Sequence, residues 1–360
     1  MDEASLHNLM SGRRRDVGAR LLRGALGLAA YGYGAAVTVR NAAYDRGWLA
    51  VHRAAVPVIS LGNITTGGTG KTPLAAWLAN WLVEQGHRPG LLSRGYRSLD
   101  AEPASSGSTG NDEKRVLDRL CPGVPHLQQR DRVRSSKRLV GESGCDVLIL
   151  DDGFQHRRLG RDLDLLLVDA LQPWGFGHLL PRGLLRESRS GLRRADLVIV
   201  TRADQASTND RQRLRMDLER FQCHAECLEV AFKPKRLLGL DGSIRELNSM
   251  AGQKGLAFCG IGNPEGFRQT LASLQIDCDL QPFPDHHHYD ARDLAALAAK
   301  AQVARTDLVL TTLKDLVKIP PTAWTGPPLY AVDIGVEFLS GEEPLTDRLR
   351  KLLPPKRAAS

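Results

Sequence analysis

A glycine-rich run near the start of the chain constrains its fold more than any other feature. Residues 67–72 read GGTGKT, shortly after the apolar run 58–61 and before an apolar stretch that continues to residue 82. Pro73 stands where the first helical residue belongs, so the run is predicted to connect a strand to a helix over 74–82. Glycines let consecutive backbone N–H groups face one phosphate, and the helix N-terminus adds partial positive charge. The pattern therefore predicts a nucleotide-binding loop in an α/β domain.

The positions of this loop carry different parts of the chemistry. The Lys71 ammonium is expected to reach the β- and γ-phosphates of ATP, and the Thr72 hydroxyl to hold Mg²⁺. The usual pattern has a glycine where this chain has Thr65. The doubled glycine resembles the loop of MinD-like ATPases, which carry a signature lysine where this chain has Thr66. The predicted ATP-binding residues are Thr65, Thr66, Gly67, Gly68, Thr69, Gly70, Lys71 and Thr72.

A second signal is a pair of carboxylates at the end of an apolar run. Residues 147–150 read VLIL and are followed by Asp151 and Asp152. The carboxyl end of a buried strand beside a nucleotide loop is where a Mg²⁺ ligand belongs, so both aspartates are predicted metal ligands. The alternative, an aspartate that caps the next turn, is common for one aspartate and weaker for two in succession.

Alternating apolar strands and helical stretches predict an α/β fold in two parts. The first part is a P-loop NTPase-like domain with a parallel sheet, and the second is a smaller α/β domain. The strand candidates after the loop are 91–93, 147–150, 163–168 and 197–200 in the first domain, and 256–259, 278–280 and 308–311 in the second. The predicted boundaries are 1–45 for an N-terminal hydrophobic segment, 46–230 with 340–360 for the P-loop domain, 231–254 for a linker, and 255–339 for the second domain.

The N-terminal segment combines basic and apolar residues. Three arginines at 13–15 precede an uncharged run at 24–39, which Arg20, Arg23 and Arg40 flank. Sixteen uncharged residues are fewer than the roughly 20 that span a bilayer, so the segment is predicted to lie in the interface of an anionic leaflet. The alternative is an ordinary core helix. The net charge of +8 favours anionic partners without choosing among them.

Several motifs that occur in order along the chain point to one family. They read GNI at 62–64, KTP at 71–73, SRGY at 93–96, DDGFQH at 151–156, LPRG at 180–183, LRE at 185–187, GIGNP at 260–264 and FPDHH at 283–287. Together they resemble the lipid A disaccharide 4′-kinase (tetraacyldisaccharide 4′-kinase) family. The resemblance extends from about residue 20 to about residue 320 and therefore covers most of the chain.

This resemblance implies an architecture, a reaction and a location. The fold would be two α/β domains joined by a two-stranded linker, with the active site in the cleft between them. ATP and Mg²⁺ would be the co-substrate and the cofactor, and a lipid A disaccharide precursor would be phosphorylated on its 4′-hydroxyl. The N-terminal segment would dock on the cytoplasmic face of the bacterial inner membrane, and no nucleic acid is expected as a partner.

The resemblance also implies roles for residues outside the glycine loop. The family places catalytic acids in a Gly-Asp-Glu-Pro loop, which here reads GNDEK at 110–114, so Asp112 is predicted to accept the proton of the sugar hydroxyl. A histidine, His286 or His287, is expected to pair with Asp112 across the cleft between the domains. Arg186 is predicted to stabilise the transferring group and Glu187 to support the metal. The predicted substrate-binding residues are Gln155, His156 and Arg132.

Two other functions compete with this interpretation. A MinD-like regulatory ATPase on the membrane would hydrolyse ATP to switch partners, but it would carry a lysine where this chain has Thr66. A basic adaptor with a vestigial loop would not need the intact Lys71 and Thr72 followed by paired aspartates. For the acid/base pair, the alternative is that Asp112 caps the helix that starts near Glu113, while the histidines only contact the phosphate of the substrate.

Overall fold

A computed structural model describes residues 3–95, 111–221, 224–250 and 252–353. Tyr96 and Gly110, which belong to two of the motifs above, lie outside these ranges. The chain forms two compact units. Among the described residues, unit 1 contains 3–95, 123–221, 224–231 and 337–353, and unit 2 contains 111–122, 232–250 and 252–336.

The helices and strands follow the alternating pattern of the sequence. The strands are β1 Val58–Asn63, β2 Pro89–Ser93, β3 His126–Gln128, β4 Val147–Asp151, β5 Leu163–Asp169, β6 Leu197–Thr201, β7 Glu226–Gly239, β8 Ile244–Arg245, β9 Lys254–Cys259, β10 Asp277–Pro282, β11 Leu308–Thr312 and β12 Leu329–Ser340. The α-helices are α1 Glu3–Met10, α2 Val17–Asp45, α3 Lys71–Glu84, α4 Asp112–Leu120, α5 Arg132–Gly141, α6 Thr208–Arg220, α7 Pro264–Ser273, α8 Ala291–Val303, α9 Leu313–Leu316 and α10 Glu342–Leu352.

Unit 1 contains a parallel sheet, which confirms the predicted fold class. Its strand order is β7-β6-β5-β1-β4-β2-β3, and every neighbouring pair is parallel. All residues of β1, β2, β4, β5 and β6 are buried, as continuous apolar strands of a sheet covered on both faces should be. β1 and β4 are neighbouring parallel strands, and Leu61 of β1 is paired with Asp151 of β4. The glycine loop after β1 and the aspartates after β4 therefore emerge at the same edge of the sheet.

Unit 2 contains further paired strands and a core of its own. β9 pairs in parallel with β10 and with β11, and β11 pairs in parallel with β12. The end of β7 pairs antiparallel with the short β8. Helix α7 begins with Asn263 as its N-cap and Pro264 in the first turn, and α8 begins with a capping box at Asp290 and Asp293. The buried core includes Phe258, a large side chain on β9.

The predicted domain boundaries stay predictions, and two features of the structure bear on them. Residues 111–122, which the sequence analysis placed in the P-loop domain, belong to unit 2. β7 and β12 are strands whose residues are divided between the units, at 231/232 and 336/337. The linker at 231–254 and its two-stranded form likewise remain expectations.

Helix α2 is longer than the uncharged run that predicted it. It begins after the N-cap Asp16, whose side chain accepts a hydrogen bond from the Ala19 N–H, and it ends at Asp45. One face is buried and carries Ala19, Ala30 and Val37. Five exposed apolar residues, Val17, Leu21, Leu28, Tyr31 and Val39, lie together on another face, because each is three, four, seven or eight residues from the next. Leu22 is exposed outside this face. Among the described helices, none combines the length and the apolar character needed to cross a bilayer.

Candidate active site

The loop between β1 and α3 has the backbone conformation that its glycines allow. Gly67 and Gly70 have φ angles of 120° and 78°, in the region that favours glycine, and α3 begins immediately after Gly70. The Asn63 side chain braces the loop, since its amide donates to Thr69 Oγ1 at 3.0 Å and its oxygen accepts from Lys71 Nζ at 3.4 Å. Sequence reasoning quoted Asn63 within a motif and gave it no role.

A second segment supports the loop from the other side. The Thr66 N–H donates to the Leu184 carbonyl oxygen at 2.7 Å, and the Arg186 N–H donates to the Ile64 carbonyl oxygen at 2.7 Å. Thr65 and Leu185 form an antiparallel bridge. The predicted loop residues Thr65 and Thr66 are therefore hydrogen-bonded to the segment that carries Arg186, which brings these separate motifs into one site.

Two cations of this site converge on Asp152. The Arg186 guanidinium lies 2.8 Å from each carboxylate oxygen, and Lys71 Nζ lies 3.5 Å from Oδ1. Burial raises the pKa of Asp152, but the nearby charges of Lys71 and Arg186 outweigh burial and lower the pKa below its ordinary value. Asp152 also has a φ of 51°, which is uncommon for a residue with a side chain. The carboxylate is thus held ionised between two cationic side chains.

The metal ligands predicted from the sequence differ in their surroundings. Asp151 is buried at the end of β4, and Thr72 lies in the first turn of α3. In the part of the chain that the structure describes, there is no cluster of three or more His, Cys, Asp or Glu side chains arranged to hold a metal. Mg²⁺ does not need such a cluster, because it is usually bound by one or two carboxylates, substrate phosphates and water. The oxygen donors of Thr72, Asp151 and Asp152 fit that ion.

Glu187 is surrounded by hydrogen-bond donors. Its Oε1 accepts from Gln155 Nε2 at 2.7 Å, and its Oε2 accepts from Arg194 at 2.7 Å and from Asn41 Nδ2 at 3.2 Å. The side chain is buried. Both oxygens are therefore engaged by the protein, and the predicted support of a metal by Glu187 stays a prediction.

The predicted substrate-binding residues lie around the DDGFQH segment. Gln155 Nε2 also donates to the Asn63 carbonyl oxygen at 2.9 Å, and Arg132 donates to the Asp152 carbonyl oxygen at 3.1 Å. Burial, reinforced by the positive charge of Arg132, lowers the pKa of His156 to about 4. His156 is therefore neutral at physiological pH. The close approach of this segment to β1 requires Gly62, since a Cβ there would lie 2.6 Å from Phe154 Cβ.

Helix α2 reaches the site through two side chains that the sequence analysis missed. The Tyr33 hydroxyl donates to the Arg186 carbonyl oxygen at 2.7 Å, and Asn41 donates to Glu187 as described above. No sequence signal singled out either residue, because isolated tyrosines and asparagines in a helix carry no motif. These contacts put α2 against the segment that holds the glycine loop.

A separate cluster in unit 2 contains the predicted catalytic acid. Asp112 is the first residue of α4, and the N-cap is Asn111, whose side chain accepts from the Lys114 N–H at 3.0 Å. Asp112 is therefore not the N-cap, and its carboxylate is available for other partners. His286 Nδ1 lies 3.6 Å from Asp112 Oδ2. The alternative that Asp112 serves to cap the helix is wrong.

The two candidate histidines have different partners. His286 is 70% exposed and faces Asp112, with a φ of 56°. His287 Nε2 instead contacts Asp293 Oδ2 at 2.7 Å, and its ring stacks on Phe283 with centroids 4.7 Å apart. The structure therefore brings Asp112 together with His286. The expectation that this pair forms between two domains is wrong, because 111–122 and His286 both belong to unit 2.

Comparisons with known proteins agree on one family. The model of the tetraacyldisaccharide-1-P 4′-kinase family matches residues 22–354. A tetraacyldisaccharide 4′-kinase of Syntrophus aciditrophicus is 41% identical over 308 residues, which cover 80% of this chain and 82% of the relative. One of Geobacter sulfurreducens is 37% identical over 96% of this chain and 98% of the relative. Among solved structures, LpxK from Aquifex aeolicus in complex with ATP aligns with a TM-score of 0.72 at 28% identity, covering 92% of this chain and 99% of that chain.

Proposed function

Because the chain belongs to the tetraacyldisaccharide-1-P 4′-kinase family, we propose that it transfers the γ-phosphate of ATP to the 4′-hydroxyl of a lipid A disaccharide 1-phosphate precursor. The observation that carries this proposal is the convergence of Lys71 and Arg186 on Asp152 beside the glycine loop. Phosphoryl transfer asks a protein mainly to position its substrates and to neutralise developing charge. Two cations fixed beside a loop of backbone N–H groups supply both.

The glycine loop and its cations bind the triphosphate. Lys71 contacts the β- and γ-phosphates, while Asp152 holds the ammonium and the Arg186 guanidinium at one place before the nucleotide arrives. Arg186 then faces the charge that develops on the transferring group. Pre-organised donors of this kind need little reorganisation during the reaction. In known enzymes, each lowers the activation free energy by about 3 kcal/mol.

Thr72, Asp151 and Asp152 are the residues that would hold Mg²⁺. When bound, the ion neutralises charge on the phosphate oxygens. The hydroxyl of Thr72 and the carboxylate oxygens are the hard donors this ion prefers. The lowered pKa of Asp152 keeps its carboxylate ionised, as a metal ligand must be, and the ion would share its oxygens with Lys71 and Arg186.

Asp112 is the proposed general base. It accepts the proton of the 4′-hydroxyl while the hydroxyl oxygen attacks the γ-phosphorus, and the bond from phosphorus to the β,γ-bridging oxygen of ATP breaks. His286 faces the same carboxylate and can orient it. His287 is held by Asp293 and Phe283 and is better placed to shape the loop than to share this proton.

Gln155, His156 and Arg132 are the proposed contacts for the acceptor. His156 has a pKa of about 4, so it would meet the substrate as a neutral imidazole that can donate one hydrogen bond and accept another. Arg132 is buried, and its guanidinium donates to the Asp152 carbonyl oxygen, which ties the acceptor side of the site to the metal-binding segment.

The exposed apolar face of α2 is the proposed membrane-docking surface, on the cytoplasmic face of the bacterial inner membrane. The surface consists of Val17, Leu21, Leu28, Tyr31 and Val39. The exposed arginines at 13–15 and Arg20 near its start complement an anionic leaflet. A helix with this pattern lies in the interface with its apolar face towards the acyl chains. Such docking brings the enzyme to an acceptor that is itself a membrane lipid.

An assay with labelled ATP tests the proposal and separates it from its rivals. Purified protein is incubated with γ-labelled ATP and lipid A disaccharide 1-phosphate in mixed micelles. The proposal expects the label in the lipid. Label that appears only as free phosphate would indicate a switch ATPase of the MinD kind, and the absence of any turnover would indicate an adaptor with an inactive loop.

A further inference from the structure

A nearly buried lysine in unit 2 has no part in the reaction described so far. The Lys318 side chain is 4% exposed, and its ammonium lies 3.0 Å from Asp315 Oδ1 and 3.6 Å from Asp112 Oδ2. The ammonium is also 5.9 Å from the centre of the Tyr289 ring. A charge so far removed from water is costly unless it is paired, so these contacts fix where the ammonium lies.

The partner that anchors Lys318 is itself rigidly held. Asp315 is 0% exposed. Its Oδ2 accepts hydrogen bonds from the Gly260 N–H at 3.0 Å and from the Thr312 hydroxyl at 2.7 Å, while Oδ1 takes Lys318. Thr312 in turn caps α9 by accepting from the Asp315 N–H. Asp315 is therefore held so that it can fix the position of the Lys318 ammonium.

Lys318 and His286 contact the same oxygen of Asp112. Each lies 3.6 Å from Oδ2, but His286 is 70% exposed whereas Lys318 is 4% exposed. An exposed imidazole is screened by water and rotates readily. A buried ammonium is screened much less, and its partners hold it in one place. Of the two groups that face Asp112, Lys318 therefore holds the carboxylate in the more constant orientation and exerts the more constant electrostatic field on it.

The other charged groups that the structure describes near Asp112 do not provide a second buried cation that could orient its carboxylate. Asp285 lies behind His286, with its Oδ2 3.9 Å from Nε2. Asp315 lies behind Lys318, and on α4 itself Lys114 pairs with Asp118 at 2.6 Å. Glu113 follows Asp112 in the first turn. Among the ion pairs of the described residues that reach Asp112, Lys318 is the cation from the protein interior.

We infer that Lys318 is a positioning residue for the catalytic base: anchored by Asp315, it orients the Asp112 carboxylate. The inference rests on the proposed function, because it gives Lys318 a purpose only if Asp112 accepts a proton. Without the cation, the Asp112 carboxylate would be oriented by the exposed His286 alone, and proton transfer to it should slow. A nearby cation generally favours the ionised form of a carboxyl, so the pH dependence of kcat also reports on its loss.

The test compares pH profiles of lipid phosphorylation for the wild type, Lys318→Met and Lys318→Arg. For Lys318→Met, we expect kcat to fall about tenfold or more and the acidic limb of the kcat profile to move to higher pH. The KM for ATP should change little. Lys318→Arg keeps the charge, so its acidic limb should stay near that of the wild type.

Two further variants separate positioning from folding. Lys318→Met leaves Asp315 buried without its cation, so the double variant Lys318→Met/Asp315→Asn restores neutrality and should show the same displaced limb. Arg236→Met removes the cation from a partly buried pair of unit 2, Arg236 (31% exposed) with Asp333 at 2.9 Å, and should leave the acidic limb in place. Circular dichroism and thermal melting establish that each variant is folded.

The outcomes are distinct. An unmoved acidic limb in a folded Lys318→Met or in the double variant would overturn the inference, as would an equal displacement in Lys318→Arg. If Lys318→Met does not fold, the double variant and Lys318→Arg decide the question, and their failure to fold as well would show a purely structural role and would also overturn it. A wild-type protein that puts no label into lipid would instead contradict the proposed function.

Discussion

The Tyr33 hydroxyl donates a hydrogen bond to the carbonyl oxygen of Arg186 at 2.7 Å. This contact links the helix that carries the exposed apolar face to the segment that supports the glycine loop and presents a guanidinium to Asp152. Burial raises the pKa of Tyr33, so the hydroxyl stays a donor across the physiological range. The helix proposed to dock on the membrane is therefore also part of the support of the active site.

The first prediction concerns this contact. Tyr33→Phe removes one hydrogen bond worth about 1 kcal/mol, so kcat should fall by several-fold while the KM for ATP changes little. The matched control is Tyr31→Phe, because Tyr31 is on the same helix and is 81% exposed. Steady-state kinetics in mixed micelles is the measurement. Equal kcat values for the two variants would show that α2 does not support the site.

The second prediction concerns the docking surface. Replacing Leu21, Leu28 and Val39 by serine should weaken partition onto anionic vesicles and raise the apparent KM for the lipid more than it lowers kcat. Deleting the whole segment is a poorer test, since it also removes Tyr33 and Asn41. Val303→Ser, an exposed position on α8, is the control. Vesicle co-sedimentation that is unchanged in the triple variant would contradict a membrane-docking role for this face.

The third prediction concerns the base. Asp112→Asn should lower kcat by about 10²-fold or more, with ATP affinity nearly unchanged, because the amide cannot accept the proton. Asp118→Asn on the same helix is the matched control, since Asp118 pairs with Lys114 away from His286. Full kcat in Asp112→Asn, or a loss that higher ATP restores, would remove Asp112 from the mechanism.

The fourth prediction follows from the pKa of His156. Folding lowers this pKa from 6.5 to about 4, so between these values the unfolded chain binds the proton more readily than the folded protein does. The free energy of unfolding therefore contains a contribution from the neutral His156 that is fully present above pH 6.5 and is lost as the pH falls towards 4. The free energy of unfolding of His156→Gln, measured by denaturant titration, should therefore depend less steeply on pH in this window. His52→Gln, at an exposed position, should retain the wild-type slope.

Much of unit 1 could be predicted from the sequence because its signals are local. The apolar run before the glycines became β1, and the run before Asp151 became β4 with the aspartate as its last residue. Pro73 marked the first turn of α3 correctly, although the helix begins earlier, at Lys71. Each of these features depends on residues adjacent in the chain, where hydrophobic period and turn chemistry carry the information.

The contacts that complete the site could not be predicted because they join residues far apart in the chain. Nothing local to Tyr33 indicates that it meets Arg186, and nothing local to Lys318 indicates that it meets Asp112. The same limit explains the misplaced acid/base pair. Asp112 lies between strands of the parallel sheet in sequence order, so it was assigned to that domain, but α4 packs in unit 2.

The most direct test of the whole account is the identity of the phosphorylated product. Wild type and Lys71→Ala are incubated with ATP and lipid A disaccharide 1-phosphate, and the lipid is analysed by mass spectrometry and phosphorus NMR. The account predicts a product with one added phosphate on the 4′-oxygen for the wild type, and almost none for Lys71→Ala, because the charge aimed at the β- and γ-phosphates is lost. An unmodified lipid with the wild type, or equal product formation by Lys71→Ala, would contradict it.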